Sequence, residues 1–194
     1  MQRPQRSALR ALGGALLVAG LVAGCGASAA SSGAPPVAAG TPVPSVQQAF
    51  NPTDLAWIQL MVPMDEQLLR VLDLANQQSA DPAVRKLAQQ INATHRTELA
   101  QLVALRTRSG APTTNVHEGH DMPGMMTEPE IVAMSKAQGA AFDQLFRKNL
   151  KEHLDQSIIV ARSIKTAGHE PSVKKLAASI ETGRAAQLKL LVAL

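Results

Sequence analysis

The sequence predicts an all-α fold, an antiparallel four-helix bundle made of two duplicated helical hairpins. Three observations predict it. Apolar residues recur at helical spacing through residues 50–194, and helix-start signals that pair a capping residue with a proline punctuate this region. Its two halves also align without a gap at an offset of 89 residues. Two hairpins with apolar stripes bury each other best as four antiparallel helices.

The first predicted hairpin covers residues 50–109. Its first helix begins after Asn51, a capping residue followed by proline at the first helical position, and Pro63 should kink this helix. The second helix begins in the same way after Asp81 and continues to about Arg108. A Gly/Pro-containing segment, residues 110–127, then leads to the second half of the chain.

The second predicted hairpin covers residues 128–194. Thr127 fits a capping box that opens a short helix, which Gly139 should interrupt. A long helix follows and ends near Gly168, which is placed for a C-cap, and the last helix begins after Glu170.

The duplication is visible in polar as well as apolar residues. The matched pairs include Asp54 with Asp143, Trp57 with Phe146, Pro82 with Pro171 and Lys86 with Lys175. Shared helix phase explains some apolar matches, but the proline and lysine identities favour a duplicated hairpin.

The N-terminal segment, residues 1–24, reads as the signal peptide of a lipoprotein. Three arginines precede an apolar run at 11–23 that is too short to span a bilayer comfortably. The run ends in Val-Ala-Gly-Cys, which resembles the bacterial lipobox, and this resemblance implies that Cys25 becomes the lipid-modified first residue. An ordinary signal peptide with an incidental cysteine is the alternative. Residues 25–49 are rich in Ala, Gly, Ser and Pro and predict a flexible tether to the bacterial membrane, outside the cytoplasm.

Composition excludes several classes of function. The net charge of +4 includes three signal-peptide arginines, so without residues 1–24 the chain has 16 Lys+Arg against 15 Asp+Glu. This balance and the 2% aromatic content argue against nucleic acid as a partner. The single cysteine rules out a disulfide framework and a thiolate cluster. The partners we expect are the membrane, through the lipid on Cys25, and a metal ion, with an envelope protein left open.

The segment between the hairpins carries the sharpest chemical signal. Its candidate metal ligands are His117, His120, Met122, Met125 and Met126. Thioethers suit Cu(I), and imidazole suits either copper state or zinc. Alternatively, Met125 and Met126 pack under the end of the bundle while His117 and His120 stay in solvent.

Polar residues also interrupt the apolar stripe of each long helix at mid-length. They are Asp65 and Glu66, His95 and Glu98, Glu152 and His153, and Arg184 and Gln187. Buried polar groups must find partners, so these interruptions predict a shared network. A second candidate metal site would use Asp65, His95, Glu98 and His153, with Met61 and Met64 as further donors. An ion-paired or hydrogen-bonded core patch with Arg184 is the alternative.

Residues 139–161 resemble the hallmark motif of an exported bacterial ferritin-like family of unknown function, numbered 305. The resemblance is carried by Phe142-Asp143, Phe146, Leu150 to His153 and Val160-Ala161, and residues 57–75 look like a degenerate first copy. A related family, numbered 4142, is similar around His95 and Leu99. The resemblance implies a four-helix bundle associated with copper or general metal handling. The paired histidines of the family motif are reduced here to His153-Leu154 and Met64-Asp65, which favours the inter-hairpin segment over the core as the site.

These observations predict an envelope lipoprotein that binds copper or another soft metal for sequestration or delivery. The alternative is a non-catalytic helical interaction module without a metal. A di-iron oxidase is disfavoured because no helix carries Glu-x-x-His. The sequence also shows no nucleophile elbow, phosphate-binding loop or zinc-protease histidine pair, so we expect no enzyme.

Overall fold

The computed structural model describes residues 49–194, and all regular secondary structure within that range is helical. The helices are α1 (Pro52–Gln78), α2 (Pro82–Ser109), α3 (Glu128–Lys136), α4 (Gly139–Ala167) and α5 (Pro171–Val192). The predicted all-α fold is therefore confirmed. The predicted signal peptide, Cys25 and nearly all of the tether lie outside the described residues.

Local side-chain chemistry sets the starts of the helices. The Asn51 side chain accepts a hydrogen bond from the Asp54 backbone N–H (2.8 Å), and the Asp54 carboxylate accepts one from the Asn51 N–H (2.9 Å). Asp81 caps α2 and Glu170 caps α5 through their carboxylates, and Thr127 opens α3 in a capping box. Each cap precedes a proline in the first turn, where the missing N–H costs nothing.

The sequence predicts an interruption at Gly139 and a kink at Pro63. The short helix α3 does end before Gly139, which begins α4 with a left-handed backbone (φ 56°) that glycine adopts without steric cost. Pro63 lies inside α1, and the helix continues through it as one element from 52 to 78.

The four long helices form a bundle in which neighbouring helices run antiparallel. α1 packs against α2 and α4, and α5 packs against α4 and α2, while the short α3 lies against α1 and α4. The start of α1 meets the end of α4, where the Asn51 side chain donates to the Ala167 carbonyl (3.0 Å). The end of α2 meets the start of α5, where Arg108 pairs with Glu170 (2.6 Å).

The duplicated aspartates hold the two hairpin turns reciprocally. Asp54, at the start of α1, accepts backbone hydrogen bonds from His169 (3.0 Å) and Glu170 (3.1 Å) in the α4–α5 turn. Its repeat equivalent Asp143, near the start of α4, accepts one from the Ser79 hydroxyl in the α1–α2 turn. Each hairpin therefore fastens the turn of the other.

Gly168 follows α4 as expected, but the need for glycine at this position does not come from a left-handed C-cap. Its backbone is extended (φ −71°), which any residue can adopt. A Cβ here would lie 2.6 Å from the Ile164 carbonyl oxygen and 2.8 Å from an Asp54 carboxylate oxygen. Glycine is required because Asp54 approaches the turn so closely.

The bundle core consists of two apolar clusters, one toward each end. The Phe142 cluster includes Leu68, Leu72, Ile91, Phe142, Phe146, Leu150 and Leu154. The Trp57 cluster includes Trp57, Ile58, Met61, Met64, Leu102, Ile164 and Ile180. None of the helices in residues 49–194 has the length and apolar character needed to cross a bilayer.

Candidate metal centre

A layer of buried polar side chains separates the two apolar clusters. This polar layer comprises seven buried residues, Asp65, His95, Glu98, His153, Ser157, Arg184 and Gln187. Each long helix contributes at least one member. Asp65, for example, lies between Met64 of the Trp57 cluster and Leu68 of the Phe142 cluster. The predicted mid-helix interruptions therefore do meet at one level.

The two imidazoles of this layer are held by backbone carbonyls. His95 Nδ1 lies 3.0 Å from the Ile91 carbonyl oxygen one turn earlier, and His153 Nδ1 lies 3.1 Å from the Gly124 carbonyl oxygen. A carbonyl only accepts hydrogen bonds, so in the neutral ring the proton must be on Nδ1. Both Nε2 atoms then carry a lone pair.

These lone pairs face a carboxylate. One ligand atom each from Asp65, His95 and His153 lie within 4.8 Å of one another, and the two ring centroids are 5.8 Å apart. Neither Nε2 atom, nor the Oδ2 atom of Asp65, has a hydrogen-bond partner among the described residues. Two imidazole nitrogens and one carboxylate oxygen thus remain unpartnered in the same buried cluster. A cation at the centre would satisfy all three.

The electrostatic environment keeps both rings neutral. Burial, and then the nearby Arg184 guanidinium, lower the pKa of His153 to about 3. The same two causes lower the pKa of His95 well below its ordinary value. The 4.0 Å approach of His95 Nε2 to Asp65 is therefore no ion pair at neutral pH, and it is too long for a hydrogen bond. Neutral imidazole is the form that binds metals.

Arg184 sits beside this centre as a buried counter-ion. Its guanidinium donates to both carboxylate oxygens of Glu98 (2.9 and 2.5 Å) and to Oδ1 of Asp65 (3.1 Å). Burial, and then the adjacent Glu98 carboxylate, raise the pKa of Asp65 well above its usual range, although Arg184 acts in the opposite direction. The interaction with Arg184 leaves the Oδ2 atom of Asp65 unengaged.

The duplication accounts for the composition of the centre. At the offset of 89 residues, His153 is the equivalent of Met64, Arg184 of His95, and Gln187 of Glu98. One pair of equivalent positions thus supplies the imidazole of His153 and the thioether of Met64. The other supplies the imidazole of His95 and the guanidinium of Arg184. Met64 is fully buried, and its methyl carbon lies 3.4 Å from where a Cβ on Gly124 would be. It therefore lies beside the same backbone that holds His153.

The Met/His segment, residues 117–126, is divided between solvent and core. Met125 is buried in the Trp57 cluster and Met126 in the Phe142 cluster. These two predicted ligands pack under the bundle, as the alternative interpretation of the segment stated. Met122 is partly buried against the Trp57 cluster.

The histidines of the segment remain near the surface. The His117 and His120 rings lie 6.3 Å apart, edge to face. His120 also lines an open groove of about 820 Å³ between the segment and α1, with Glu66, Glu118 and Asp121 among its walls. His117, His120 and Met122 thus remain a candidate surface site, which stays a prediction.

The structure brings together part of the predicted core set. Asp65, His95 and His153 converge, whereas Glu98 is engaged by Arg184. Met61 lies in the Trp57 cluster, and Glu66 and Glu152 are exposed. A cluster that could hold a metal ion and an ion pair with Arg184 therefore lie side by side.

Sequence reasoning missed two contributors, the Gly124 carbonyl and Ser157. Ser157 is fully buried one turn after His153, and its hydroxyl has no partner within residues 49–194. Its i+4 spacing from His153 could have indicated it. No residue pattern indicates the role of the Gly124 carbonyl, because a backbone contact across 29 residues depends on tertiary packing.

The fold and this centre define a class, a helical-bundle protein with a buried histidine–carboxylate cluster suited to a metal ion. A family model described as a domain of unknown function, DUF305, matches residues 54–194. The chain belongs to the DUF305 family, which confirms the resemblance seen in the motif. The similarity to family 4142 stays a prediction. No curated protein matches the sequence.

Solved structures share the fold. A DUF305 fragment from Deinococcus radiodurans superimposes with a TM-score of 0.66 at 20% identity, covering 74% of this chain and 95% of its own. A DUF305 protein described as secreted, from Streptomyces coelicolor, gives 0.63 at 18% identity, with 72% and 89% covered. CopM in its Cu(II)-bound form gives 0.62 at 24% identity, with 72% and 93% covered, and CopM has also been solved with Cu(I) and with silver. These likenesses show the fold of the bundle.

Proposed function

We propose that this protein is an exported, lipid-anchored metal-binding protein that holds copper or a similar soft metal ion for sequestration or delivery. It binds and transfers the ion and is not an enzyme. The observation that carries the proposal is the buried convergence of His95 and His153 with the Asp65 carboxylate, in which both Nε2 atoms and Asp65 Oδ2 lack a hydrogen-bond partner among the described residues.

The arrangement suits a metal ion in three ways. The two rings are neutral and oriented by their Nδ1 hydrogen bonds, the second-sphere arrangement that metal-binding histidines use. Imidazole and carboxylate are established ligand types, and the buried Met64 offers a soft donor. The likeness to CopM, which was solved with copper and silver bound, supports copper as the ion.

The anchor is the part of the proposal that rests on sequence alone. Cys25 follows the lipobox-like Val-Ala-Gly, and the S. coelicolor relative is described as secreted. Expression in a bacterial host with an alkyne-labelled fatty acid tests it. The chain should take up label, and Cys25→Ala should not. Label retained by the variant would disprove lipid attachment at this residue.

A metal titration tests the buried centre against the surface segment. The purified chain should carry Cys25→Ser, so that no thiol competes for the ion. Cu(I), titrated anaerobically against a chromophoric chelator, and Ag(I) serve as probes. Two variants are compared with this parent. The core variant is His95→Gln with His153→Gln, and the surface variant changes His117, His120 and Met122 to Gln, Gln and Leu.

We expect the core variant to lose at least about 100-fold in affinity, since two of the ligands are gone, whereas the surface variant keeps the tight site. Far-ultraviolet circular dichroism checks that both remain helical. A core variant that binds either ion as tightly as the parent would overturn the assignment to the buried centre. Loss of binding in the surface variant alone would move the site to the Met/His segment.

A further inference from the structure

The charge of the buried centre, rather than its ligand types, decides which ions it accepts. By ligand chemistry alone, two imidazoles and a carboxylate fit Zn²⁺ or Cu²⁺ as well as a monovalent ion. All the groups concerned are withdrawn from water, however, so the sum of their charges matters far more than it would at a surface. Selectivity between monovalent and divalent ions can therefore be inferred from the charged side chains of the polar layer.

The polar layer contains two acidic side chains and one basic side chain. Once an ion is bound, Asp65 and Glu98 each contribute one negative charge, Arg184 contributes one positive charge, and His95 and His153 are neutral, because carboxylate and imidazole bind metals in their deprotonated forms. The other two members of the layer, Ser157 and Gln187, are uncharged. Among residues 49–194, the remaining buried carboxylates are Asp54 and Glu170, which accept backbone hydrogen bonds at the end of the bundle. The centre thus has a net charge of −1.

A monovalent cation brings this charge to zero, whereas a divalent cation leaves an uncompensated positive charge in the core. The extra charge would be repelled by Arg184, whose Nη2 atom lies 3.1 Å from the Asp65 oxygen that approaches His95 Nε2. At about 6 Å and an effective dielectric constant of about 20, one unit charge alters binding roughly 100-fold.

Resting on the metal-binding function proposed above, we propose that Arg184 makes the buried centre selective for a monovalent soft cation, Cu(I) or Ag(I), over divalent ions. Arg184 does so by occupying the position at which the first hairpin carries His95. The duplicated bundle could have placed a further imidazole there, and the centre would then have a net charge of −2. At position 184 the second hairpin therefore carries a fixed positive charge instead of an imidazole that could bind the ion.

Two substitutions in the polar layer should have opposite effects on ion selectivity. Arg184→Gln removes a positive charge, and this should raise affinity for a divalent ion more than for a monovalent ion. Glu98→Gln removes a negative charge and should weaken divalent binding more. The Coulomb energy between a divalent ion and the altered charge is twice that of a monovalent ion. The ratio of Zn²⁺ to Ag⁺ affinity should therefore rise about 100-fold in the first variant and fall by a similar factor in the second.

The experiment measures Ag⁺ and Zn²⁺ dissociation constants by chelator competition. The parent chain carries Cys25→Ser and the three surface substitutions, so that the buried centre is measured alone. Arg96→Gln is the matched control, because Arg96 follows His95 in sequence but pairs with Asp73 in solvent. This control should leave the ratio unchanged.

Opposite shifts in the two variants, with Ag⁺ bound more tightly than Zn²⁺ by the parent, would establish the selectivity. If Arg184→Gln does not fold, the test rests on the ratio of Zn²⁺ to Ag⁺ affinity in Glu98→Gln, compared with that in Arg96→Gln. A parent that prefers Zn²⁺, or a ratio that changes less than threefold in a folded variant, would refute the role of Arg184 and leave the metal-binding function standing. A parent that binds neither ion would refute the buried centre itself, and the selectivity with it.

Discussion

Replacing Arg184 by methionine should be one of the most destabilising single changes in this bundle. The guanidinium is fully buried and makes three hydrogen bonds to two buried carboxylates, those of Glu98 and Asp65. Methionine has a similar length and no charge, so it fills the space but leaves the Glu98 carboxylate without its counter-ion. Breaking a buried ion pair on one side costs about 3–5 kcal/mol. Asp65 adds little to this cost, because its raised pKa lets it take up a proton.

Urea denaturation followed by circular dichroism, at pH 7 with a chelator present, measures this loss as a change in the free energy of unfolding. Arg96→Met is the matched control, since the Arg96–Asp73 pair is more than half exposed on both sides and should contribute less than about 1 kcal/mol. The two arginines are both on long helices, so helix propensity does not explain a difference between them.

A double variant separates the lost charge from the lost packing. Arg184→Met combined with Glu98→Leu removes both charges, and it should recover at least half of the stability lost by Arg184→Met alone. If the single variant loses less than about 1 kcal/mol, or if the double variant is less stable than the single one, the buried ion pair does not have the energetic role inferred from its geometry.

Three further predictions concern other features of the fold. Gly168→Ala should destabilise the domain by about 2 kcal/mol or more, because its Cβ would overlap a backbone oxygen at 2.6 Å, whereas Gly183→Ala, in open space on α5, should stabilise it by about 0.5–1 kcal/mol. Asp54→Ala should cost about 2–4 kcal/mol in thermal or urea unfolding, since three backbone N–H groups lose their acceptor; an unchanged midpoint would contradict this. The metal-free protein should lose about 2 kcal/mol through His153 between pH 6.5 and 5.0, because the unfolded chain takes up a proton near pH 6.5 that the folded ring refuses until about pH 3. His153→Leu should make this profile shallower, with the remaining slope due to the similarly buried His95, and the exposed His120→Gln should leave it unchanged. Identical profiles for wild type and His153→Leu would disprove the assigned shift.

The fold could be predicted from the sequence because its signals are local. Asn51, Asp81, Thr127 and Glu170 each act on backbone groups within three residues, so the helix starts follow from short stretches of sequence. The apolar stripes and the 89-residue offset then restrict how the helices pack.

The candidate centre could be predicted only in part. The stripe positions of His95 and His153 showed that these residues face inward, but the relative heights of two helices depend on packing rather than on spacing within either helix. The same reason explains Met125 and Met126. A Gly/Pro-bearing segment suggested exposed thioethers, whereas its path across the bundle places the two neighbours in separate apolar clusters. Gly168 illustrates a further limit, because one of the two groups that crowd it, the Asp54 carboxylate, lies more than 100 residues away in the chain.

The course of residues 124–126 bears on how fast an ion could enter or leave. The Gly124 carbonyl holds His153, and the next two side chains are buried on opposite sides of the polar layer. Lifting this stretch would expose both methionines, at about 1.5–3 kcal/mol each. By that estimate the opened form amounts to roughly one molecule in a hundred to one in ten thousand. Passage of an ion along this route would therefore depend on how often this stretch opens, and by this estimate it opens rarely.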